Sequence, residues 1–309
     1  MKKYLVTGAA GFIASTIAAK LLKEGHEVWT IDNLSTGFKK NLPKGIRFVA
    51  GDCQSPDSIA KLRKTRFDAI LHIAGQSSGE VSFDDPVYDL RTNTEATLRL
   101  IDYGLKTGCS RFIYASSMSV YGEVPEEPIA ETFPCKPLSF YGVGKLASEH
   151  YLRIYQSKGL KPTSLRYFNV YGPNQNMANL RQGMVSIYLA QFMKNAEVIV
   201  KGAKNRFRDF VYIDDVVDFT TSIIRDERSY GGIYNFGTGC RTTVGELLEN
   251  IARLSGLKRK IVIASGTPGD QKGIYADMAL VKKIFGFKCK YDLEKGLANM
   301  IAWAKKASW

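Results

Sequence analysis

The 309-residue sequence is short of the residues that build metal centres and disulfide frameworks. It holds three histidines (His26, His72, His150) and five cysteines (Cys53, Cys109, Cys135, Cys240, Cys289), an odd number and widely spaced. No C-x-x-C pair and no H-E-x-x-H run occurs. Neither a metal site nor a disulfide scaffold is therefore indicated, and a reduced, cytoplasmic protein is the simpler expectation. Long apolar runs are missing too, since none approaches the roughly 20 residues needed to cross a bilayer. Lys2-Lys3 and the stretch 4–19 superficially imitate a secretory signal, but that stretch divides into a strand-like Tyr4-Leu5-Val6, a glycine turn and an amphipathic run ending in Lys20-Leu21-Leu22-Lys23. Acidic residues are the third shortage: 30 Asp+Glu against 43 Lys+Arg give a net charge of +13. Such a surplus admits anionic partners, namely nucleic acid, acidic membrane or phosphorylated small molecules. The basic residues are scattered, however. Lys39-Lys40, Lys258-Arg259-Lys260, Lys282-Lys283 and Lys305-Lys306 are small clusters with no aromatic-interleaved stripe, so neither nucleic acid nor membrane is expected as a partner.

What is present is a rhythm. Apolar strand-like runs at 4–7, 27–31, 47–50, 69–73, 112–116 and 163–167 alternate with helical patterns at 11–24, 55–64, 88–107 and 141–158. Strands apolar on both faces, separated by helices, predict an α/β fold with a doubly wound parallel sheet of the Rossmann type. Past residue 167 the rhythm changes to a Pro/Asn-rich turn at 172–176, a helix near 183–194, strands near Val198 and Phe210, and helices from Val244, Met278 and Leu293. This reads as a smaller mixed α/β lobe, with a cleft between the two.

Strand Leu5-Val6-Thr7 runs into Gly8-Ala9-Ala10-Gly11-Phe12-Ile13-Ala14, a G-x-x-G-x-x-A turn opening a helix. Gly8 and Gly11 let backbone N–H groups approach a pyrophosphate, and the helix N-terminus adds partial positive charge. Ala14 suffices where only a small residue is needed. Asp32 ends the second strand about 20 residues later, where a carboxylate accepts hydrogen bonds from adenosine ribose hydroxyls and repels a 2′-phosphate. Strand, glycines, helix, strand and acid in this order point to NAD. The expected domains are an NAD-binding Rossmann domain at 1–168 with a returning segment at about 205–236, and a substrate-binding lobe formed by 169–204 and 237–309.

Tyr141 precedes Lys145 by four residues at the start of a helical pattern, which places both on one face. A cation near a phenol favours the phenolate, lowering a Tyr pKa from about 10. Upstream, Ser117-Met118-Ser119-Val120-Tyr121-Gly122 presents hydroxyls at the same strand-end crevice. Together with Asp32-Asn33-Leu34-Ser35-Thr36-Gly37, Gly51-Asp52, His72-Ile73-Ala74-Gly75-Gln76, Asn93, the run Leu165 to Pro173, the run Arg208 to Val216 and Tyr234-Asn235-Phe236-Gly237, these motifs resemble the extended short-chain dehydrogenase/reductase family. The branch they resemble is the NAD-dependent nucleotide-sugar epimerases and dehydratases, and the resemblance spans nearly the whole chain.

The resemblance implies that Tyr141 is the catalytic base, that Lys145 holds the nicotinamide ribose and tunes Tyr141, and that Ser117 hydrogen-bonds the reacting sugar hydroxyl. It implies NAD contacts from Gly8, Gly11, Phe12, Ile13, Asp32, Asn33, Ser35, Thr36, Gly37, Asp52, Cys53, Ile73, Ala74, Gly75, Gln76, Asn93, Ser116, Tyr141, Lys145 and Phe168. Asn169 and Arg208 fall where the family contacts the sugar diphosphate, and an Arg fork suits phosphate oxygens. Many 4-epimerases of the family carry an Arg just before the P-G-D segment. Here Thr267-Pro268-Gly269-Asp270-Gln271-Lys272 puts Thr there, with Lys272 as the candidate replacement. Ile274 aligns with a position that limits sugar size and is smaller than the Tyr of glucose-restricted members, which admits N-acetylated or uronate sugars. The alternative is that Ile274 is simply a packed strand residue.

Dehydratases of the branch carry acids directly after the Ser/Thr, and its decarboxylases carry a Glu two residues before the Tyr of V-Y-G. Met118 and Ser119 occupy those places here, and neither moves a proton as a carboxyl does. The expected reaction is therefore inversion at C4 of a nucleotide-diphosphate sugar by reversible oxidation to a 4-keto sugar that turns in the cleft. Competing readings are a nucleotide-sugar reductase or dehydrogenase, a C2-epimerase, and a non-enzymatic basic RNA-binding protein on the same fold. Family members pair the helices corresponding to 92–107 and 141–158 across a dimer interface, so the resemblance also implies a homodimer.

Overall fold

A computed structural model of the chain describes residues 1–266, 269 and 271–307. Seven strands form one sheet: β1 (Lys3–Thr7), β2 (Glu27–Asp32), β3 (Arg47–Ala50), β4 (Ala69–His72), β5 (Arg111–Ser117), β6 (Lys161–Tyr167) and β7 (Ile233–Phe236). Their order is β3-β2-β1-β4-β5-β6-β7, and every pair is parallel. The winding direction reverses between β1 and β4, so a crevice opens at the C-terminal ends of those strands.

The apolar runs follow from burial on both faces. Tyr4 and Val6 of β1, Ala69 and Leu71 of β4, and Ile113 and Ala115 of β5 enter one core; Leu5, Ile70, Phe112 and Tyr114 enter another on the opposite face. This is the period-2 alternation of a pleated strand, with both outcomes apolar. Helix Phe12–Lys23 covers the first face with Ile17, Ala18 and Leu21 and lies against helix Ile213–Ser222, tied by a Lys20–Asp218 ion pair of 2.7 Å. Leu100 and Ile101 of helix Ala96–Thr107, with Leu152 of helix Phe140–Tyr155, enter the second core.

Three local departures from the sequence expectation have physical causes. The helix expected at 55–64 ends after Pro56–Ala60. Arg63 and Lys64 then take left-handed backbone angles (φ 53° and 52°), and Leu62 and Phe67 reach the core. The helix expected at 88–107 starts at Pro86 and widens into a π-turn at Arg91–Glu95 before Ala96–Thr107. Helix Ile213–Ser222 and strand β7 were visible in the sequence only as motifs. Asp214 and Asp215 in the helix's first turn suit the positive end of its dipole.

The remaining elements surround the C-terminal strand ends. Asn169–Tyr171 pairs with Phe210–Tyr212, and Glu197–Lys201 pairs with Lys260–Ala264. Phe207–Arg208 lies between Thr242–Thr243 and Gly273–Ile274. Helices Met184–Lys194, Val244–Ser255 and Leu293–Ala304 pack around them. Among the described residues no helix is long and apolar enough to cross a membrane.

Candidate active site

A cavity of about 310 Å³ lies at the strand-end crevice, floored by the glycine turn. Gly8 sits at φ +77°, and a Cβ there would lie 2.9 Å from the Ala74 Cα, so the turn and the β4 end meet only because position 8 lacks a side chain. The Asp32 carboxylate accepts hydrogen bonds from the backbone N–H groups of Ala10 (2.9 Å) and Leu34 (2.7 Å), locking the turn to the end of β2. Asn33 donates to Asp52 at 2.8 Å. Cys53 is buried, and burial pushes its thiol pKa up, which leaves it a small apolar wall residue.

Thr7 organises the far side. Its hydroxyl oxygen accepts from the backbone N–H groups of Ile73 and Ala74, both at 3.1 Å, and lies 2.9 Å from His72 Nδ1. Burial first, and the Lys145 charge second, pull the His72 pKa down to about 3.

Beyond the inner end of this cavity stand Ser117, Tyr141 and Lys145. Ser117 ends β5, and Ser139 caps helix Phe140–Tyr155 by accepting from the Gly142 N–H at 3.1 Å. A Cβ on Gly142 would lie 2.5 Å from the Ser119 carbonyl oxygen, so glycine lets the helix press onto the turn after Ser117. Lys145 Nζ donates to the Ala115 carbonyl at 2.8 Å and lies 5.6 Å from the centre of the Tyr141 ring. Burial pulls Lys145 down to about 8, opposed by the carboxylates of Asp89 and Glu149. Burial pushes Tyr141 up to about 12, with the nearby Ser117 hydroxyl opposing and Asp89 reinforcing the rise; the Ser117 hydroxyl itself donates to Ser119 Oγ at 3.2 Å.

A second, larger cavity of about 570 Å³ adjoins the first, the two sharing Ser77, Ser78 and Gln182. Met118, Ser119, Leu138, Ser139 and Asn169 wall one part of it; Lys201, Arg206 and Arg208 bring positive charge to another. Arg208 is 3% exposed, donates to the carbonyls of Phe207 (2.7 Å) and Gln271 (3.0 Å), and is pulled down to about 10 by burial.

The sequence model of the NAD dependent epimerase/dehydratase family matches residues 4–237. The chain belongs to this family. It is 33% identical to the UDP-glucose 4-epimerase of Mycolicibacterium smegmatis over 98% of this chain and 99% of that protein. The crystal structure of the Thermus thermophilus UDP-glucose 4-epimerase in complex with NAD matches with a TM-score of 0.92 at 35% identity, covering 99% of this chain and 100% of that one. The UDP-glucose 4-epimerase of Thermotoga maritima with UDP-glucose matches with a TM-score of 0.94 at 33% identity, covering 98% and 99%.

The family is NAD-dependent, and the geometry of the smaller cavity suits that cofactor. The turn is a close backbone cradle, the N-terminus of helix Phe12–Lys23 faces it, and the buried Asn93 Oδ1 beside Gly75 has no hydrogen-bond partner. Gly8, Gly11, Phe12, Ile13, Asp32, Asn33, Ser35, Thr36, Gly37, Asp52, Cys53, Ile73, Ala74, Gly75 and Gln76 all line the cavity. Asn93 and Lys145 lie behind Gly75.

Other expected residues sit elsewhere. Ser116 is turned away and donates to Glu149 at 2.5 Å, and Phe168 is buried in the apolar core. Lys272 points outward to an ion pair with Glu126 and is not in the cavity wall. Ile274 is fully buried in the core, its strand paired beside Arg208, and does not line the cavity either. The structure thus gives Ile274 the packed-strand environment and leaves its expected sugar contact unmade. Thr267 lies outside the described residues.

Sequence reasoning missed Arg206, Lys201 and the buried Glu149. Arg206 is two residues from Arg208, a same-face spacing in an extended chain. Glu149 is four residues past Lys145 and continues the Tyr141–Lys145 face. It forms a bidentate pair with Arg166 (2.9 and 2.7 Å), which also donates to Tyr121 at 2.8 Å, binding the helix to the strand ends.

Proposed function

We propose that the protein is an NAD-dependent 4-epimerase of a UDP-hexose, interconverting UDP-glucose and UDP-galactose. The observation that carries this reading is the Ser117–Tyr141–Lys145 group beside two adjoining cavities, one a dinucleotide cradle and one lined by Lys201, Arg206 and Arg208. NAD supplies a hydride acceptor and a positive charge there when bound. Tyr141, beside Ser117, takes the proton of the sugar C4 hydroxyl and later returns it. Lys145, fixed by the Ala115 carbonyl, holds an ammonium group 5.6 Å from the Tyr141 ring; burial outweighs it and keeps the phenol up at about 12 rather than lowered as the Tyr/Lys spacing predicts, so the charge that favours the ionised form is the one NAD supplies when bound. Asn169 and Arg208 are assigned to the sugar diphosphate.

Net oxidation or reduction is the competing chemistry. Met118 and Ser119 supply no carboxyl for dehydration. The test incubates purified protein separately with UDP-glucose, UDP-galactose, UDP-N-acetylglucosamine and UDP-glucuronate, and follows C4 by proton NMR and NADH by absorbance. The expected result is the same glucose/galactose mixture from either side without accumulating NADH. Stoichiometric NADH formation, or no inversion at C4, overturns the proposal.

We further propose a homodimer. Val87, Leu90, Val143 and Ile154 are all more than half exposed on the helices at 86–90 and 140–155, whereas no large apolar side chain of 92–107 is exposed, so the surface offered to a second copy lies on 86–90 and 140–155 rather than on the expected 92–107. Light scattering at working concentration checks it, and a monomer refutes it.

A further inference from the structure

The segment 172–183 leaves the strand Asn169–Tyr171, crosses to the dinucleotide side and returns to helix Met184–Lys194. It forms no strand pairing; its own hydrogen bonds are short-range turns such as Arg181 N–H to Asn179 Oδ1 (3.0 Å). Asn174, Gln175, Asn176, Asn179 and Gln182 nevertheless line the NAD cavity. The far end of this strap is held by polar contacts to one short stretch of the opposite wall, 77–84. Arg181 Nη1 and Nη2 grip Asp84 at 2.6 and 3.2 Å, and Arg181 Nε meets Glu80 at 3.2 Å. The Arg181 carbonyl accepts from Ser78 at 2.8 Å, and Gln182 donates to Ser77. Lys201 adds a second cation to Glu80 at 3.1 Å.

We infer that the segment 174–182 is a strap over NAD and that Arg181, latched to Asp84 and Glu80, is a positioning residue that sets how long the cofactor stays bound. The inference rests on the NAD-dependent reading above and goes beyond it. An epimerase must keep its reduced cofactor until the hydride returns. A roof fastened across the cavity supplies that retention without any residue at the reacting atoms. The fastening is exposed: the side chains of Arg181 and Asp84 are 42% and 57% accessible. It is therefore sensitive to dissolved salt, unlike the buried backbone cradle beneath.

The test measures NAD release from the purified holoenzyme into an excess of an NAD-trapping dehydrogenase. The variants are Arg181→Ala, Arg181→Lys and Asp84→Ala, and ionic strength runs from about 0.01 M to about 1 M, over which the screening length falls from ~30 to ~3 Å. Raising salt should speed release from the wild type. Arg181→Ala should release NAD on the order of tenfold faster at low salt and lose the salt dependence; Asp84→Ala should release roughly threefold faster, with Arg181→Lys between wild type and Arg181→Ala. Asp84 lines neither cavity, so Asp84→Ala should turn over normally when NAD is supplied in excess. Release rates equal to wild type in both alanine variants, or a wild-type rate indifferent to salt, overturn the strap. Should Arg181→Ala fail to fold, Asp84→Ala and the wild-type salt series decide. A wild type that binds no NAD defeats the functional reading itself, whereas a wild type that holds NAD with unaltered variants defeats only the strap.

Discussion

The two adjoining cavities are made of different materials. The smaller cavity is floored by a turn and strand ends that backbone bonds hold in place: the Gly8 N–H donates to the Ile31 carbonyl at 3.0 Å, Ala10 donates to Asp32, and Ile73 and Ala74 donate to Thr7. The neighbouring cavity is chiefly side chain, with cations from Lys201, Arg206 and Arg208 on segments that meet only in the folded chain. A turn whose own backbone bonds fix its shape suits the part of the chemistry that never changes, a pyrophosphate on a helix N-terminus. Side chains on separate strands and loops can be exchanged singly, and so suit the part that sets the substrate.

Substitution separates the two, and the largest effect is expected at their boundary. Tyr141→Phe should lower turnover by about 10³-fold while co-purified NAD, read by absorbance after denaturation, stays at the wild-type level; loss of NAD instead would make Tyr141 part of the cradle. Gly8→Ala strikes the backbone cavity. A Cβ at φ +77°, 2.9 Å from Ala74, should cost about 1–3 kcal/mol and weaken NAD binding ten- to hundredfold by calorimetry, with KM for the sugar nucleotide little changed once NAD is saturating. Arg208→Ala strikes the other cavity and should raise KM about tenfold or more at unaltered NAD content. If Arg208→Ala also empties the enzyme of NAD, the two cavities do not act separately.

Acid should damage the backbone cavity through His72. Its folded pKa of about 3 lies below the ordinary 6.5, so the unfolded chain holds the extra proton between those values. His72's contribution to stability is therefore complete above pH 6.5 and falls as pH drops toward 3, by up to about 1.4 kcal/mol per unit. Chemical unfolding across this range should show the slope, and His72→Asn should flatten it. The smallest effect is expected at Lys272→Ala, where an exposed pair with Glu126 is lost and KM should move less than about twofold. A large rise in KM would put Lys272 on the diphosphate after all.

Much of the first half of the fold was legible because its signals are local. The runs at 47–50 and 69–73 became β3 and β4, and the glycine turn, Asp32 and the Tyr141–Lys145 spacing lie within a few residues of the elements that place them. The π-turn at Arg91–Glu95 was not legible, since it depends on how Asn93 packs between Gly75 and Gly144 rather than on periodicity. That Lys272 turns to Glu126 and Ile274 into the core was not legible for a related reason. In an extended segment neighbouring side chains point to opposite sides, and which side meets the cavity is settled by the strand's partners, here Phe207–Arg208.

From the sequence alone came the first six strands of the sheet and the helices between them, the dinucleotide turn, the Tyr/Lys face and the absence of a carboxyl at Met118 and Ser119. Each is a matter of composition or of spacing within one element, where covalent geometry fixes which residues face together. Tertiary structure alone decided that Lys201, Arg206 and Arg208 share a cavity and that Arg181 meets Glu80 and Asp84, 101 and 97 residues away. Those meetings depend on how the chain closes on itself: the sheet brings remote strand ends to one edge, and the loops that leave them find partners no local pattern encodes.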